Sequence, residues 1–272
     1  MKSKIILVTG ASSGIGFQTA QILANQGNTV IAAARRTELM QPLEKHGVTV
    51  IRLDVCDDQS IQQCVNAIVE RHGRIDVLVN NAGYGYFGAI ETVPMEEARR
   101  QLEVNVFGLA RLCQLVLPAM RAQGRGRIVN TSSVAGKATL RFGGWYNVSK
   151  YSVEAFSDAL RMEVSDFGIN VSLIEPGGIK TEWGFIAADH LKESAKGGAY
   201  EAQATKTAEG MRKQYSGNMM SDPKVISKAI SKAVNARRPK TRYLIGFMAK
   251  PMVWMHTILP TRWFDYIMKH AS

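Results

Sequence analysis

The sequence predicts a single doubly wound α/β domain, a Rossmann fold with a parallel sheet covered by helices on both faces. Three observations carry that prediction. Short β-branched apolar runs alternate with helical stretches through the first two thirds of the chain. The first run leads directly into a glycine-rich turn, Thr9-Gly10-Ala11-Ser12-Ser13-Gly14-Ile15-Gly16. At 272 residues and 46% apolar composition, the chain suits one large domain with a sizeable core.

The strands fall at 5–8, 29–33, 48–53, 75–79, 127–130 and 171–174. They read as continuous apolar runs rather than alternating ones, as strands buried on both faces do. Helices are expected near 15–26, 59–71, 95–121 and 146–166, and right-handed crossovers between parallel strands then give the doubly wound order. Gly27 stands where the first helix would end, and Asp57 or Asp58 can cap the second. Pro94 suits the first turn of the third, and Gly124, Gly126 and Gly168 mark exits from helices into strands. The stretch 183–220 is rich in Gly, Ala, Ser and Lys and weakly periodic; it reads as a short helical insert or a substrate lid. Ser221-Asp222-Pro223 starts a helix running to about 236, and 243–247 reads as a last strand. Residues 1–272 thus form one domain, with 239–272 as a C-terminal extension and no internal repeat.

Composition narrows the function classes. The net charge is +11, and residues 180–272, with 16 basic and 7 acidic residues, carry +9 of it. The excess belongs to the C-terminal third, and with no recognition motif beside it a nucleic-acid partner is not expected. Cys56, Cys64 and Cys113 are odd in number, scattered and without Cys-x-x-Cys spacing. That indicates neither a disulfide framework nor a metal site, only free thiols in a reducing cytoplasm. Met1-Lys2-Ser3-Lys4 runs straight into a strand too short for a signal peptide or a membrane span, so a cytoplasmic location is expected.

A strand, a glycine-rich turn and a helix make an anion site, because a helix N-terminus exposes unpaired N–H groups and a partial positive charge. Gly10 permits the tight turn, Gly14 the approach of a pyrophosphate, and Gly16 close packing of helix on strand, with Ser12, Ser13 and Ile15 completing the loop. The second strand ends Ala34-Arg35-Arg36. No carboxylate stands there for the ribose hydroxyls of NAD(H), whereas Arg35, beside Arg36, offers a planar fork for a 2′-phosphate, so the expected cofactor is NADP(H).

Tyr146 and Lys150 stand one helical turn apart on one face. A free phenol has a pKa near 10, and a nearby ammonium favours the phenolate and lowers it. The pair suits a proton donor for carbonyl reduction. Ser132 and Ser133 follow the strand at 127–130, on the edge where open α/β sheets bind ligands, and on chemistry alone either can hydrogen-bond the reacting oxygen.

These residues together resemble the short-chain dehydrogenase/reductase family over about residues 3–182. The matching motifs are Thr9 to Gly16, Asn80-Asn81-Ala82-Gly83, Asn105, Ser133, Tyr146-x-x-x-Lys150, and Pro176-Gly177 with Thr181 shortly after. The resemblance implies Tyr146 as general acid/base, with Lys150 lowering its pKa and holding the nicotinamide ribose. It implies Ser133, 13 residues before the tyrosine, as the group that polarises the carbonyl, and Asn105 as holder of a water reaching Lys150 through a helix irregularity. Asn81, Ala82 and Gly83 would line the cofactor, Asp54 and Val55 would contact the adenine, and Pro176, Gly177, Ile179 and Thr181 would hold the nicotinamide end. The extended C-terminus resembles the steroid- and retinol-dehydrogenase-like branch.

Tyr84, Tyr86, Phe87, Phe142, Trp145, Trp183 and Phe185 stand near the expected site and suggest a small lipophilic carbonyl or the corresponding alcohol as substrate. A β-ketoacyl thioester reductase and a catalytically silent NADP(H)-binding regulator are the alternatives. The tail, with Arg237, Arg238, Lys240, Arg242 and Lys250 among tryptophans and methionines, reads first as a pocket cover or subunit contact with its basic residues solvated. Contact with an anionic membrane ranks below that. By the same resemblance, Val106, Leu109, Leu112 and Val116, with Ala155, Phe156, Ala159 and Leu160, form candidate faces for a homodimer or homotetramer.

Overall fold

The computed structural model describes residues 3–270; Met1 and Lys2, and the last two residues of the extension, lie outside them. Parallel strands β1 (Ile5–Thr9), β2 (Thr29–Ala34), β3 (Thr49–Arg52), β4 (Val77–Asn80), β5 (Gly126–Thr131), β6 (Ile169–Pro176) and β7 (Arg242–Ile245) form one seven-stranded sheet ordered β3-β2-β1-β4-β5-β6-β7. Leu7 of β1 pairs with Ile31 on one side and Leu78 on the other. The winding reverses between β1 and β4, which opens a crevice at their carboxyl ends.

Helices α1 (Gly14–Asn25), α2 (Asp58–His72), α3 (Met95–Leu102), α4 (Gly108–Ala122), α5 (Gly144–Val164), α6 (Trp183–Ala195), α7 (Glu201–Ser216), α8 (Pro223–Asn235), α9 (Ala249–Ile258) and α10 (Thr261–His270) surround the sheet. Alternate strand residues serve opposite faces. Leu7, Leu78, Ile128 and Leu173 pack with α2, α4 and α5, while Ile6, Val8, Val79 and Ile174 pack with α1 and α8. Asp57 caps α2 by accepting from the N–H groups of Gln59 and Ser60, and Asp222 caps α8 at Lys224. Gly27, Gly124 and Gly168 take positive φ at helix exits, whereas Gly126 already belongs to β5 and Pro94 sits just outside α3.

Several expectations are corrected. The stretch 95–121 is not one regular helix, because Glu103–Phe107 widens into a π turn between α3 and α4. By length and composition Met95–Ala122 could cross a membrane, yet Leu109, Leu112, Cys113, Val116 and Met120 are buried against the sheet. Leu109, Leu112, Val116 and Leu160, expected on subunit faces, are therefore core, while Ala155 and Ala159 are exposed. The insert 183–220 forms two helices meeting through Ala187, Ala188, Ala195, Ala204 and Ala208, whose small side chains give no strong apolar period. A 3-10 stretch at Thr37–His46 and the helical form of α9 and α10 complete the chain.

Arg242 is not solvated. Its guanidinium reaches Glu175 Oε1 at 3.1 Å, Glu154 Oε2 at 3.1 Å and Asp158 Oδ2 at 2.6 Å, and Lys137 Nζ adds 2.9 Å to Glu154. Burial, then the neighbouring Glu154 charge, pushes the Glu175 carboxyl from 4.5 up to about 7. The folded chain therefore holds a proton that the unfolded chain releases, and stability falls as pH rises through that interval. Glu175→Gln is expected to flatten the decline of melting temperature between about pH 4.5 and pH 7. A slope equal to that of the wild type would refute this account.

Candidate active site

Because the strands are parallel, the turns that follow them gather along one edge. Gly10 adopts φ +64°, and a Cβ there would lie 2.7 Å from Ala82 Cα. A Cβ on Gly16 would lie 2.3 Å from the Gly10 carbonyl oxygen. Both contacts admit only hydrogen, and Gly14, at φ +54°, completes the turn. The turns after β1 and β4 are bolted together. Thr9 Oγ1 accepts from the N–H groups of Asn81 and Ala82, both at 3.1 Å, and Asn81 Nδ2 donates to the carbonyls of Thr9 and Gly10 at 3.2 Å.

At the head of α1, Ser13 makes no side-chain cap and the first turn holds no acidic residue, unlike the capped α2 and α8. The first-turn N–H groups of α1 thus face the crevice with the helix dipole behind them, and this cradle fits a pyrophosphate. Ser12 is half-buried, Ser13 is exposed, and Ile15 packs on the core beneath. Arg35 and Arg36 are exposed just after β2. Asp54 Oδ1 closes a turn on the Cys56 N–H at 3.0 Å, and Val55 packs on the core beside Gly108. Beyond β6, Gly177 donates to Ile245 and Gly178 to Phe247, Ile179 is buried, and Thr181 swings over to Gly14.

Tyr146 is buried on α5, only 8% exposed, between the rings of Phe87 at 5.7 Å and Trp183 at 5.2 Å. The nearby Ser133 side chain favours the ionised phenol, its Oγ accepting from the Ala135 N–H at 3.1 Å, while the buried Ser132 hydroxyl finds no partner among the described residues. Geometry thus separates two serines that chemistry alone does not. Lys150 Nζ donates to the Thr131 carbonyl at 2.9 Å. Asn105 occupies the π turn, with Nδ2 donating to the Tyr84 carbonyl at 2.9 Å and Ser149 Oγ at 3.0 Å. Gly83 leaves space beside both, since a Cβ there would lie 3.0 Å from Asn105 Oδ1 and 3.7 Å from Lys150 Nζ.

The electrostatics differ from the expectation. Burial pushes the Tyr146 phenol up to about 12, opposed by the Ser133 side chain, and drives Lys150 down to about 8, opposed by Glu154. The ammonium stands 5.9 Å from the centre of the Tyr146 ring and is engaged by a carbonyl, so desolvation outweighs any pull on the phenol.

Sequence reasoning missed Tyr215. Its ring lies on Gly184, where a Cβ would come within 2.3 Å, and burial, then the neighbouring Tyr146, pushes its phenol up. A lone tyrosine in a weakly periodic stretch gives no signal of this. Of the expected aromatics, Phe87 is buried, Tyr86 stacks on His190 at 4.5 Å, and Phe185 meets Tyr215 at 6.2 Å. Phe142, at φ +60°, meets Tyr200, while the Trp145 Nε1 and Tyr84 hydroxyl are buried without a partner among the described residues.

Residues 4–188 match the short chain dehydrogenase family model. The chain is 36% identical over 276 residues to a 3-ketodihydrosphingosine reductase of Bacteroides thetaiotaomicron, covering 99% of this chain and 98% of the relative. A crystal structure of a short-chain dehydrogenase from Streptomyces avermitilis superposes with a TM-score of 0.83 at 33% identity, over 99% of this chain and 98% of that one. Actinorhodin polyketide ketoreductase, solved with NADPH, superposes with a TM-score of 0.73 at 32% identity, over 86% and 91% of the two chains.

Gly16→Ala forces a methyl group onto the Gly10 carbonyl. The expected result is a loss of about 1–3 kcal/mol of stability, together with loss of any thermal shift produced by a nicotinamide dinucleotide. A variant that melts and binds like the wild type would contradict the close packing of this turn.

Proposed function

The chain belongs to the short-chain dehydrogenase/reductase family, and from that premise we propose an NADP(H)-dependent oxidoreductase interconverting a lipophilic ketone or aldehyde and its alcohol. The observation that carries the reading is the buried Tyr146 phenol, set near Ser133 and Lys150 and roofed by Phe87 and Trp183. The glycine turn and the head of α1 would hold the pyrophosphate, and Arg35, supported by Arg36, the 2′-phosphate. Asp54 and Val55 would meet the adenine, Asn81, Ala82 and Gly83 the middle of the cofactor, and Pro176, Gly177, Ile179 and Thr181 the nicotinamide end.

The dinucleotide, when bound, supplies a hydride to the carbonyl carbon. Tyr146 Oη gives its proton to the carbonyl oxygen, so that the products are the alcohol and a phenolate to be reprotonated. Ser133 orients that oxygen and Lys150 stabilises the phenolate. Asn105, in its π turn beside Gly83, would hold the water through which Lys150 exchanges protons with solvent. Apolar side chains on α6 and α7 favour a lipophilic substrate. Trp183 covers Tyr146, so the α6–α7 pair acts as a lid that lifts to admit it.

NADPH oxidation by the purified protein, followed across steroid ketones, retinal, β-ketoacyl thioesters and long-chain ketones, tests the activity. Selective turnover of lipophilic ketones is expected, and a preference for β-ketoacyl thioesters would reassign the substrate class. Tyr146→Phe is expected to lower kcat by about 100-fold or more with NADPH affinity nearly unchanged; full turnover in that variant would overturn the mechanism. Arg35→Ala is expected to weaken NADPH binding about 10-fold and leave NADH binding unchanged. Equal dissociation constants for NADPH and NADH in the wild type would refute the cofactor preference.

A further inference from the structure

Helices α9 and α10 do not spend their aromatic residues on covering the site. Trp254 and Trp263 are each 67% exposed, Tyr266 is 65% and Ile258 is 74%. Trp254 and Ile258 lie four residues apart and share one face of α9 with Lys250, which is also exposed. On α10, Phe264 is buried while Arg262, Trp263, Tyr266 and Lys269 are exposed. The two helices are held together by the His256 and Phe264 rings, edge to face at 4.9 Å. Residues 249–270 contain a single acidic side chain, Asp265. Arg237, Arg238 and Lys240 precede β7 and so lie toward the opposite end of the strands, and Arg242 is consumed in its buried ion pairs. The local charge is therefore set by Lys250, Arg262 and Lys269.

We propose that α9 and α10 form a docking face for an anionic lipid bilayer, lying in the interface with Trp254, Ile258, Trp263 and Tyr266 inserted. Tryptophan and tyrosine combine an apolar body with a polar edge, which suits the headgroup level. Lysine and arginine among them complement anionic lipid. The same charges argue against a second copy of the chain as the occupant, because a two-fold contact brings each patch onto its own like. Helix α9 packs beside the Val134–Gly136 turn that follows Ser133, so the docked protein would hold its site within about a helix's width of the membrane surface. Vesicle binding requires no turnover and is independent of the proposed activity.

The test is co-sedimentation of the full chain with phosphatidylcholine vesicles, with and without phosphatidylglycerol, at low and high salt. Binding to the anionic vesicles alone, weakened by salt, is expected, with Trp254 and Trp263 fluorescence shifting to the blue. Lys250→Glu with Arg262→Glu is expected to weaken partitioning about 30-fold or more. Trp254→Ser with Trp263→Ser should abolish it while leaving the melting temperature within a few degrees of wild type, since both side chains are exposed. Absence of binding to anionic vesicles by the folded wild type overturns the proposal. So does a concentration-dependent dimer that the tryptophan variant dissociates, without any vesicle binding, because the face would then join two copies of the chain.

Discussion

The site depends on one close approach, that of the turn after β1 to the turn after β4. β1 lies between β2 and β4, so the chain leaves it in one direction and returns on its other side. No continuous covalent path holds the two turns together at that edge. Thr9 and Asn81 supply the link through four hydrogen bonds, and Gly10 and Gly16 supply the room for it. A methyl group at either glycine would push the turns apart and rotate the head of α1 out of the crevice. The uncapped N–H groups are useful to an anion only because this contact aims them.

The second constraint is the inward face of α5. It presents Tyr146, Asn147, Ser149, Lys150, Glu154 and Ser157 to the interior, where a structural helix would place leucines. Most are matched. Asn147 Nδ2 donates to the carbonyls of Ala135 and Ala138, Ser149 Oγ accepts from Asn105, and Ser157 Oγ accepts from Asn130, which in turn accepts from Asn80. Buried polar chains of this kind tolerate little displacement, because a broken link leaves a desolvated group unpaired. The side chains proposed for catalysis inherit that rigidity.

The sequence was most informative where local chemistry sets local structure. Continuous β-branched runs announced buried parallel strands, Asp57 or Asp58 announced a cap, Ser221-Asp222-Pro223 announced a helix start, and the glycine spacing announced the first turn. Family motifs located Ser133 and Asn105, although the residues themselves left Ser133 level with Ser132. The parts that stayed hidden depend on distant neighbours. The alanines that join α6 to α7 carry no apolar stripe, and nothing in the spacing sets Tyr215 on Gly184. The pairing of Arg242 with Glu154 and Glu175 spans residues far apart in the chain. The phenol shifts against the expected direction because burial, a property of the whole fold, outweighs the pair interaction visible in Tyr-x-x-x-Lys.

That hidden ion cluster links the two halves of the reaction site. Glu154 lies one helical turn beyond Lys150, and Glu175 immediately precedes Pro176 and Gly177. Arg242, from the edge strand β7, binds both carboxylates and Asp158 as well. One guanidinium therefore fixes α5, which carries the proposed proton donor, against β6, which carries the loop proposed to hold the nicotinamide end. Buried charges are a poor means of gaining stability, since their desolvation offsets most of their attraction. They are a good means of fixing register, because each partner displaced leaves another charge unpaired. Hydride and proton transfer to adjacent atoms require reacting groups held to within fractions of an ångström. A core of leucines would let helix and strand slide by more than that, whereas a forked cation gripping both does not.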